Sequence, residues 1–345
     1  MRTSAGKCGN RPRSLLLAFS TIAAAAALAG CGGGGNDDAS ARTGTLNLGV
    51  TDAPIDAAEA VVIQFTGVEL KPANGPAFSI DFAPKTIDVL GMQGTERAML
   101  LDGETVPAGE YQWMRLKVNA DPDAAGDSHM MIDGAQCELR IPSGDETGLK
   151  LIRGFTVGVG TTTDFTIDFN LRKSIVQPPG QHTMMDACGG QVYLLKPVLR
   201  MVDHLQVGSI TGTIDPTLVS QQCTEASTLT QVTPGNVYLY GPYTALPAPV
   251  PDDVDDNLAD GVDPITWAEV KSDDLGNYTY TIGFVPAGDY VLAYTCSPDQ
   301  PGIDADVADV PVGDDEMVTF IPEAGIAATA VANQAVTVDF NLPPP

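Results

Sequence analysis

In 345 residues the chain carries 44 acidic and 18 basic side chains, a net charge of −26. So strong an acidic excess argues against nucleic acid and anionic lipid head groups as partners, since both repel it. The excess is uneven: residues 201–345 hold 22 Asp and Glu against one base, Lys271, whereas residues 32–200 hold 22 acids and 13 bases. Solubility accounts for such a surface, and weak divalent-cation binding is the sharper alternative.

Residues 1–30 read as a secretory signal. Arg2, Lys7, Arg11 and Arg13 form a basic start, and an apolar run from Leu15 to Leu28 ends in Ala29 and Gly30. The run is too short and too alanine-rich for a good membrane span. The junction LAGC, Leu28 to Cys31, resembles the lipobox of bacterial lipoproteins. That resemblance implies cleavage before Cys31 and acylation of its thiol and new amino group. Palmitate-type chains, each buried CH₂ contributing about 0.8 kcal/mol, would anchor the protein at the cell envelope. Gly32 after the cysteine, rather than Asp, favours the outer membrane over the inner. Residues 31–43, with glycines at 32–35, read as lipid anchor and flexible tether.

Beyond the tether, helical periodicity is scarce. Short alternating or wholly apolar runs rich in Val, Ile, Thr and Tyr follow one another, separated by Gly, Pro, Asp and Asn. They include Gly44 to Val50, Ala60 to Leu70, Glu110 to Val118, Tyr278 to Val285 and Tyr290 to Cys296. The spacing predicts an all-β chain of two tandem β-sandwiches, over 44–203 and 207–345. Two phrases recur. VPAGEY (Val106 to Tyr111) returns as VPAGDY (Val285 to Tyr290), and TIDFNL (Thr166 to Leu171) returns as TVDFNL (Thr337 to Leu342). Their order is the same in the two halves and their offset nearly so, 60 residues from Tyr111 to Leu171 and 52 from Tyr290 to Leu342. Each Pro-Ala-Gly is read as a turn that launches a strand. Alternation sets Ile167 with Phe169, and Val338 with Phe340, on one face. The phrases are expected to be architectural, used once per sandwich.

VTDAP (Val50 to Pro54), VPAGEYQWMRLKV, DFNLRKSIV (Asp168 to Val176) and YLLKPVLRMVD (Tyr193 to Asp203) resemble the domain-of-unknown-function 4382 family of bacterial envelope proteins. The resemblance spans residues 44–203 and implies no assigned activity. The insertion Gln177 to Gln191, with Cys188, departs from it. GSITGTI (Gly208 to Ile214), SDDLGNYTYTI (Ser272 to Ile282), VPAGDYVL and AVTVDFNL are similar to the carboxypeptidase-regulatory-like, prealbumin-like sandwich. That likeness implies a fold rather than a role. Some relatives of this fold form Lys–Asn isopeptide crosslinks; Lys271 lies outside the first strand, so none is expected.

Setting aside Cys8 and Cys31 leaves Cys137, Cys188, Cys223 and Cys296. An even count in an exported chain suggests two disulfides, with three pairings open. Cys137–Cys188 with Cys223–Cys296 is the pairing that respects the domain boundary.

Signatures of hydrolases, metalloproteases and P-loops are absent, and His129, His182 and His204 lack triad or zinc spacing. An enzyme is therefore not expected, and no cofactor is required. For Ca²⁺, the loop at Asp253 offers Asp253, Asp255 and Asn257 at positions 1, 3 and 5, but Leu258 and Pro264 stand where an EF-hand needs Gly and Glu. For Cu⁺, His129, Met130, Met131, His182, Met184 and Met185 could converge if Cys137 and Cys188 are bonded; gap-filling methionines are the plainer reading. For a glycan or protein partner, alternation puts Tyr111, Trp113, Arg115 and Lys117 on the face opposite Met114, Leu116 and Val118, and Tyr238 and Tyr240 stand beside a proline-rich stretch. These residues point to a non-catalytic envelope lipoprotein that presents its sandwiches as a binding, adhesion or spacer module. Its partner would be an envelope protein or polysaccharide. The alternative is a glycan or divalent-metal receptor.

Overall fold

The computed structural model describes residues 42–53, 58–120, 127–132, 134–141, 148–176, 193–196, 198–223, 234–242, 264–296 and 320–342. Among them the chain is nearly all β. The first half holds β1 (Thr43–Ala53), β2 (Ala60–Pro72), β3 (Phe78–Asp88), β4 (Ala98–Pro107), β5 (Gly109–Asn119), β6 (His129–Ile132) and β7 (Ala135–Arg140). It continues with β8 (Leu149–Leu151), β9 (Phe155–Val157), β10 (Thr162–Asn170), β11 (Ile175–Val176), β12 (Tyr193–Leu195) and β13 (Leu199–Asp203). The second half holds β14 (Val207–Ile214), β15 (Asn236–Tyr240), β16 (Thr266–Glu269), β17 (Lys271–Ser272), β18 (Tyr278–Pro286), β19 (Gly288–Thr295), β20 (Ile321–Ala330) and β21 (Ala335–Thr337).

Each half is a pair of sheets around its own core. In the first, β13-β10-β1-β4 faces β11-β12-β7-β6-β2-β5-β8, with β3 on β2 and β9 on β5. Leu46, Leu48 and Val50 of β1 meet Val61, Ile63 and Phe65 of β2 between them, all wholly buried. In the second, β17-β18-β14-β21 faces β16-β15-β19-β20, and Ile210 of β14 packs with Val237 and Leu239 of β15. Burying a side chain of this size contributes about 1.5–3 kcal/mol, so strict alternation of apolar residues suffices to choose each inward face. In β2 the alternation skips once, between Phe65 and Val68. A register shift at the same place against both β3 and β5 restores it, a bulge that keeps Val68 and Leu70 inside.

The repeated phrases occupy equivalent places. β1 runs antiparallel to β4, with Thr43 opposite Pro107, and parallel to β10, with Thr51 opposite Asp168. β14 likewise runs antiparallel to β18, with Val207 opposite Pro286, and parallel to β21. That parallel pairing extends to a bridge between Ile214 and Phe340. In both halves the Pro-Ala-Gly turn carries the chain from one sheet to the other. There the tyrosine closes the corner: Tyr111 Oη donates to Pro107 O at 2.6 Å, and Tyr290 Oη to Pro286 O at 2.8 Å. Both rings are buried. A tyrosine hydroxyl bonded back to the backbone a few residues upstream is a recurring corner device of β-sandwiches. Gly109, at φ 144°, adopts a backbone that a side chain would strain.

Residues 41–345 form one compact unit. Its halves meet where Gly94 touches Gly283: a Cβ at Gly283 would lie 1.8 Å from Gly94 O. The short connector His204–Gln206 is tied to the turn after β18 and to the turn after β20, as Ala287 N donates to Gln206 O and Asn333 Nδ2 to Leu205 O at 3.4 Å. Val202, Val207 and Phe284 make a small apolar cluster around it.

Candidate functional site

Two regions gather chemistry: the outer face of β5 and the junction between the halves. On β5, Met114, Leu116 and Val118 are buried, as alternation requires, while Trp113, Arg115 and Lys117 are partly exposed. Trp113 is held between cations, with Lys150 Nζ 4.2 Å and Arg115 Cζ 5.2 Å from ring centroids. Arg115 also pairs with Glu69 at 2.8 Å and Lys117 with Asp81 at 2.6 Å.

Tyr111 does not share that face. Trp113 lies opposite Lys71 but Tyr111 lies opposite Pro72, so β5 has one residue more than β2 here. This bulge turns Gln112 outward and Tyr111 into the core, where its ring stacks on Phe155 at 4.8 Å and 3°. Burial pushes the phenol of Tyr111 up. The expected stripe thus reduces to Trp113, Arg115 and Lys117. Beside the corner lies an apolar groove of about 340 Å³ lined by Pro72, Pro76, Phe78 and Pro107.

Tyr238 and Tyr240 are a second correction. All five residues of β15 are buried, because this strand is covered on both faces. Val237 and Leu239 point into the main core. Tyr238 and Tyr240 pack on the opposite face with Trp267, Val291, Ala293 and Phe320, and their rings meet Phe320 edge-on at about 6 Å. Neither presents a surface to a glycan.

The copper cluster is divided by the geometry of β6. Met130 is wholly buried next to Cys137 in the register, while His129 and Met131 alternate to the other face. These three side chains cannot converge on one ion. His182, Met184, Met185 and Cys188 lie outside the described residues, as do Asp253, Asp255, Asn257 and Cys31. Among the described residues no group of three His, Cys, Asp or Glu could hold a metal, and no helix is long and apolar enough to cross a membrane. Cys223 and Cys296 form a disulfide that closes a separation of 73 residues. Cys137 is also disulfide-bonded.

The junction network was not foreseen. Phe165, Ile167 and Phe169 of β10 face the core, so Asp164, Thr166 and Asp168 share the opposite face, and that face is covered too: Thr166 is wholly buried and Asp168 nearly so. Arg97, just before β4, forks onto Asp164 at 2.7 and 3.0 Å. Its Nη1 also reaches Thr166 Oγ1 at 3.2 Å and His204 Nε2 at 2.8 Å. Thr166 Oγ1 lies 2.5 Å from the same nitrogen, and the His204 ring meets Phe284 of the second half edge-on at 5.3 Å. Burial, then the neighbouring Arg97 charge, holds the imidazole below its ordinary value. Burial raises Asp164, but the Arg97 hydrogen bonds and charge outweigh it and hold the carboxyl low. Arg200 pairs with Asp168 directly across β10 and β13, through Nη2 at 2.5 Å and Nε at 3.1 Å.

Thr166 beside His204 has the outline of a nucleophile and base. The hydroxyl is wholly buried, however, and Asp164 grips Arg97 through both oxygens instead of orienting the imidazole. What the network does is join β10, the segment before β4 and the connector. A shallow cleft of about 230 Å³ opens nearby between Gln93, Thr95, Glu269, Lys271, Thr279 and Thr281. The one legible signal of the junction was the polar row alternating with phenylalanines in β10; its partner 38 residues on could not be read from spacing.

Residues 43–197 match a family described as Domain of unknown function (DUF4382). The match covers less than half of the chain and carries no activity. No curated protein matches. Among solved structures, a leucine-rich repeat protein from Bacteroides thetaiotaomicron is similar at 11% identity and TM-score 0.21, over 88% of this chain and 26% of that one. The chain thus spans about a quarter of that protein's length. The minor pilin of Streptococcus agalactiae is similar at 11% identity and TM-score 0.18, over 87% of this chain and 97% of that one. The major pilin of Streptococcus pyogenes is similar at 11% identity and TM-score 0.17, over 86% and 97%. At such TM-scores none of them bears on this chain's architecture or role.

Proposed function

We propose that the chain is a non-catalytic cell-envelope lipoprotein, anchored through acyl chains on Cys31, that carries tandem sandwich domains over 44–203 and 207–345 as a binding, adhesion or spacer module. The observation that carries this reading is where the distinctive groups sit. Both copies of the VPAG(E/D)Y phrase close corners between sheets, and the half-buried Arg97–Asp164–Thr166–His204 and Asp168–Arg200 sets join strands and the connector to one another. These groups serve rigidity, which suits a chain that holds a surface away from a membrane. The basic start, the LAGC junction and the glycine tether support the anchor and the outer-membrane address. No cofactor or nucleic acid has a part in this reading.

Metabolic labelling with a palmitate analogue, followed by detergent phase partitioning, tests the anchor. The full chain should be labelled and enter the detergent phase, and Cys31→Ser should lose the label and remain aqueous. An unlabelled wild type would end the lipoprotein reading. One observation favours a second reading, a polysaccharide receptor: Trp113 stays partly exposed between Lys150 and Arg115. Trp113→Ala should then abolish retention on the polysaccharide bound by wild type.

A further inference from the structure

The junction network places an imidazole, His204, at the point where the two halves are joined. Arg97 can only donate, so His204 Nε2 must carry a lone pair for their 2.8 Å approach. The neutral ring, with its proton on Nδ1, fits this site. A protonated ring does not. Its Nε2–H would share the Thr166 oxygen with the guanidinium, two cations directed at one buried hydroxyl.

The charged groups around the ring are Arg97 from the segment before β4, Asp164 from β10 and Asp203 from the end of β13; the second half contributes the uncharged Phe284. Both acids are engaged by other donors. Both oxygens of Asp164 already accept from Arg97. Asp203 accepts from Leu205 N through one oxygen and from Gln206 Nε2 through the other, which is how it caps the connector. Each of these bonds helps to hold the junction together.

We propose that His204 is a proton-operated latch: neutral, it accepts from Arg97 and keeps the two halves docked through the connector; protonated, it drives the guanidinium away and frees the second half to move on the first. The lowered affinity of the half-buried ring for a proton agrees with the direction. The moving parts are the 204–206 connector and the Gly94–Gly283 contact, while each half keeps its own core.

Spin labels at the exposed positions Gln112→Cys and Leu275→Cys, one on each half of the full acylated chain in detergent, read the latch by their distance distribution. The wild-type distribution should be narrow at pH 7.5 and broadened or displaced at pH 5.0, and His204→Gln should show no change between these pH values. An unchanged wild type, or a variant that shifts as wild type does, overturns the latch. Should His204→Gln fail to fold, the imidazole C–H resonances of wild type and Arg97→Gln decide instead. His204 should titrate below the ordinary imidazole value of about 6.5 in wild type and move up in Arg97→Gln. Titration of His204 at or above that ordinary value in wild type overturns the proposal.

Discussion

The two halves use the phrase Thr-(Ile/Val)-Asp-Phe-Asn-Leu at the same point of the same strand pairing, yet its aspartate meets different surroundings. Asp168 lies opposite Thr51, is nearly buried, and is gripped by Arg200 from the neighbouring strand. Asp339 is exposed and accepts both the amide and the hydroxyl of Thr213 through one oxygen, at 2.8 and 2.9 Å. The phenylalanine one place on behaves alike in both, wholly buried at Phe169 and Phe340. The backbone role of the phrase and its inward residues follow from the strand plan. The partner of its outward acid follows from what covers that face. A buried carboxylate needs a cation, and an exposed one is content with a local hydroxyl and N–H.

The largest perturbation separates the halves by acting on one. Replacing Cys223 and Cys296 by serine removes the crosslink over 73 residues, a loss of about 4 kcal/mol in the chain-entropy estimate. Chemical denaturation should show it in the second half, with the first unchanged. Next, Asp168→Ala leaves Arg200 facing a buried gap and should cost about 3 kcal/mol, whereas Asp339→Ala loses only exposed hydrogen bonds and should cost about 1 kcal/mol. Equal losses in the two would erase the distinction drawn between them. Tyr111→Phe and Tyr290→Phe should be matched, each losing one buried hydrogen bond of about 1 kcal/mol.

The smallest effect is a pH dependence confined to the junction. His204 is held below its ordinary value when folded, so the unfolded chain takes up the proton first. Its contribution is complete above about pH 6.5 and falls as pH drops toward the folded value. Asp164 is also held low, so its contribution persists to lower pH, beginning to fade only below about pH 4. Thermal melts of His204→Gln should lack the first loss and keep the second.

Much of this architecture was legible. Alternation located the inward faces of β5 and β10, and the repeated phrases were correctly read as structural because their order is the same and their offset nearly so. The outward stripe of β5 failed at one residue, since the bulge at Gln112 reverses parity and nothing in Glu110 to Val118 announces an extra residue. Tyr238 and Tyr240 were misread because β15 is buried on both faces; Val-Tyr-Leu-Tyr alternates as a half-exposed strand would. The junction was invisible for another reason: Arg97, Asp164 and His204 are brought together by sheet pairing over long separations, and spacing along a chain records only local geometry.

The central claim, that one repeated phrase closes equivalent corners in two halves, is tested most directly by amide hydrogen exchange on Tyr111→Phe and Tyr290→Phe. The first substitution should loosen β4 and β5 with their partner β1, and the second should loosen β18 and β19 with β14, by similar factors. Loss of protection spread evenly over both halves, or none at either corner, would contradict it.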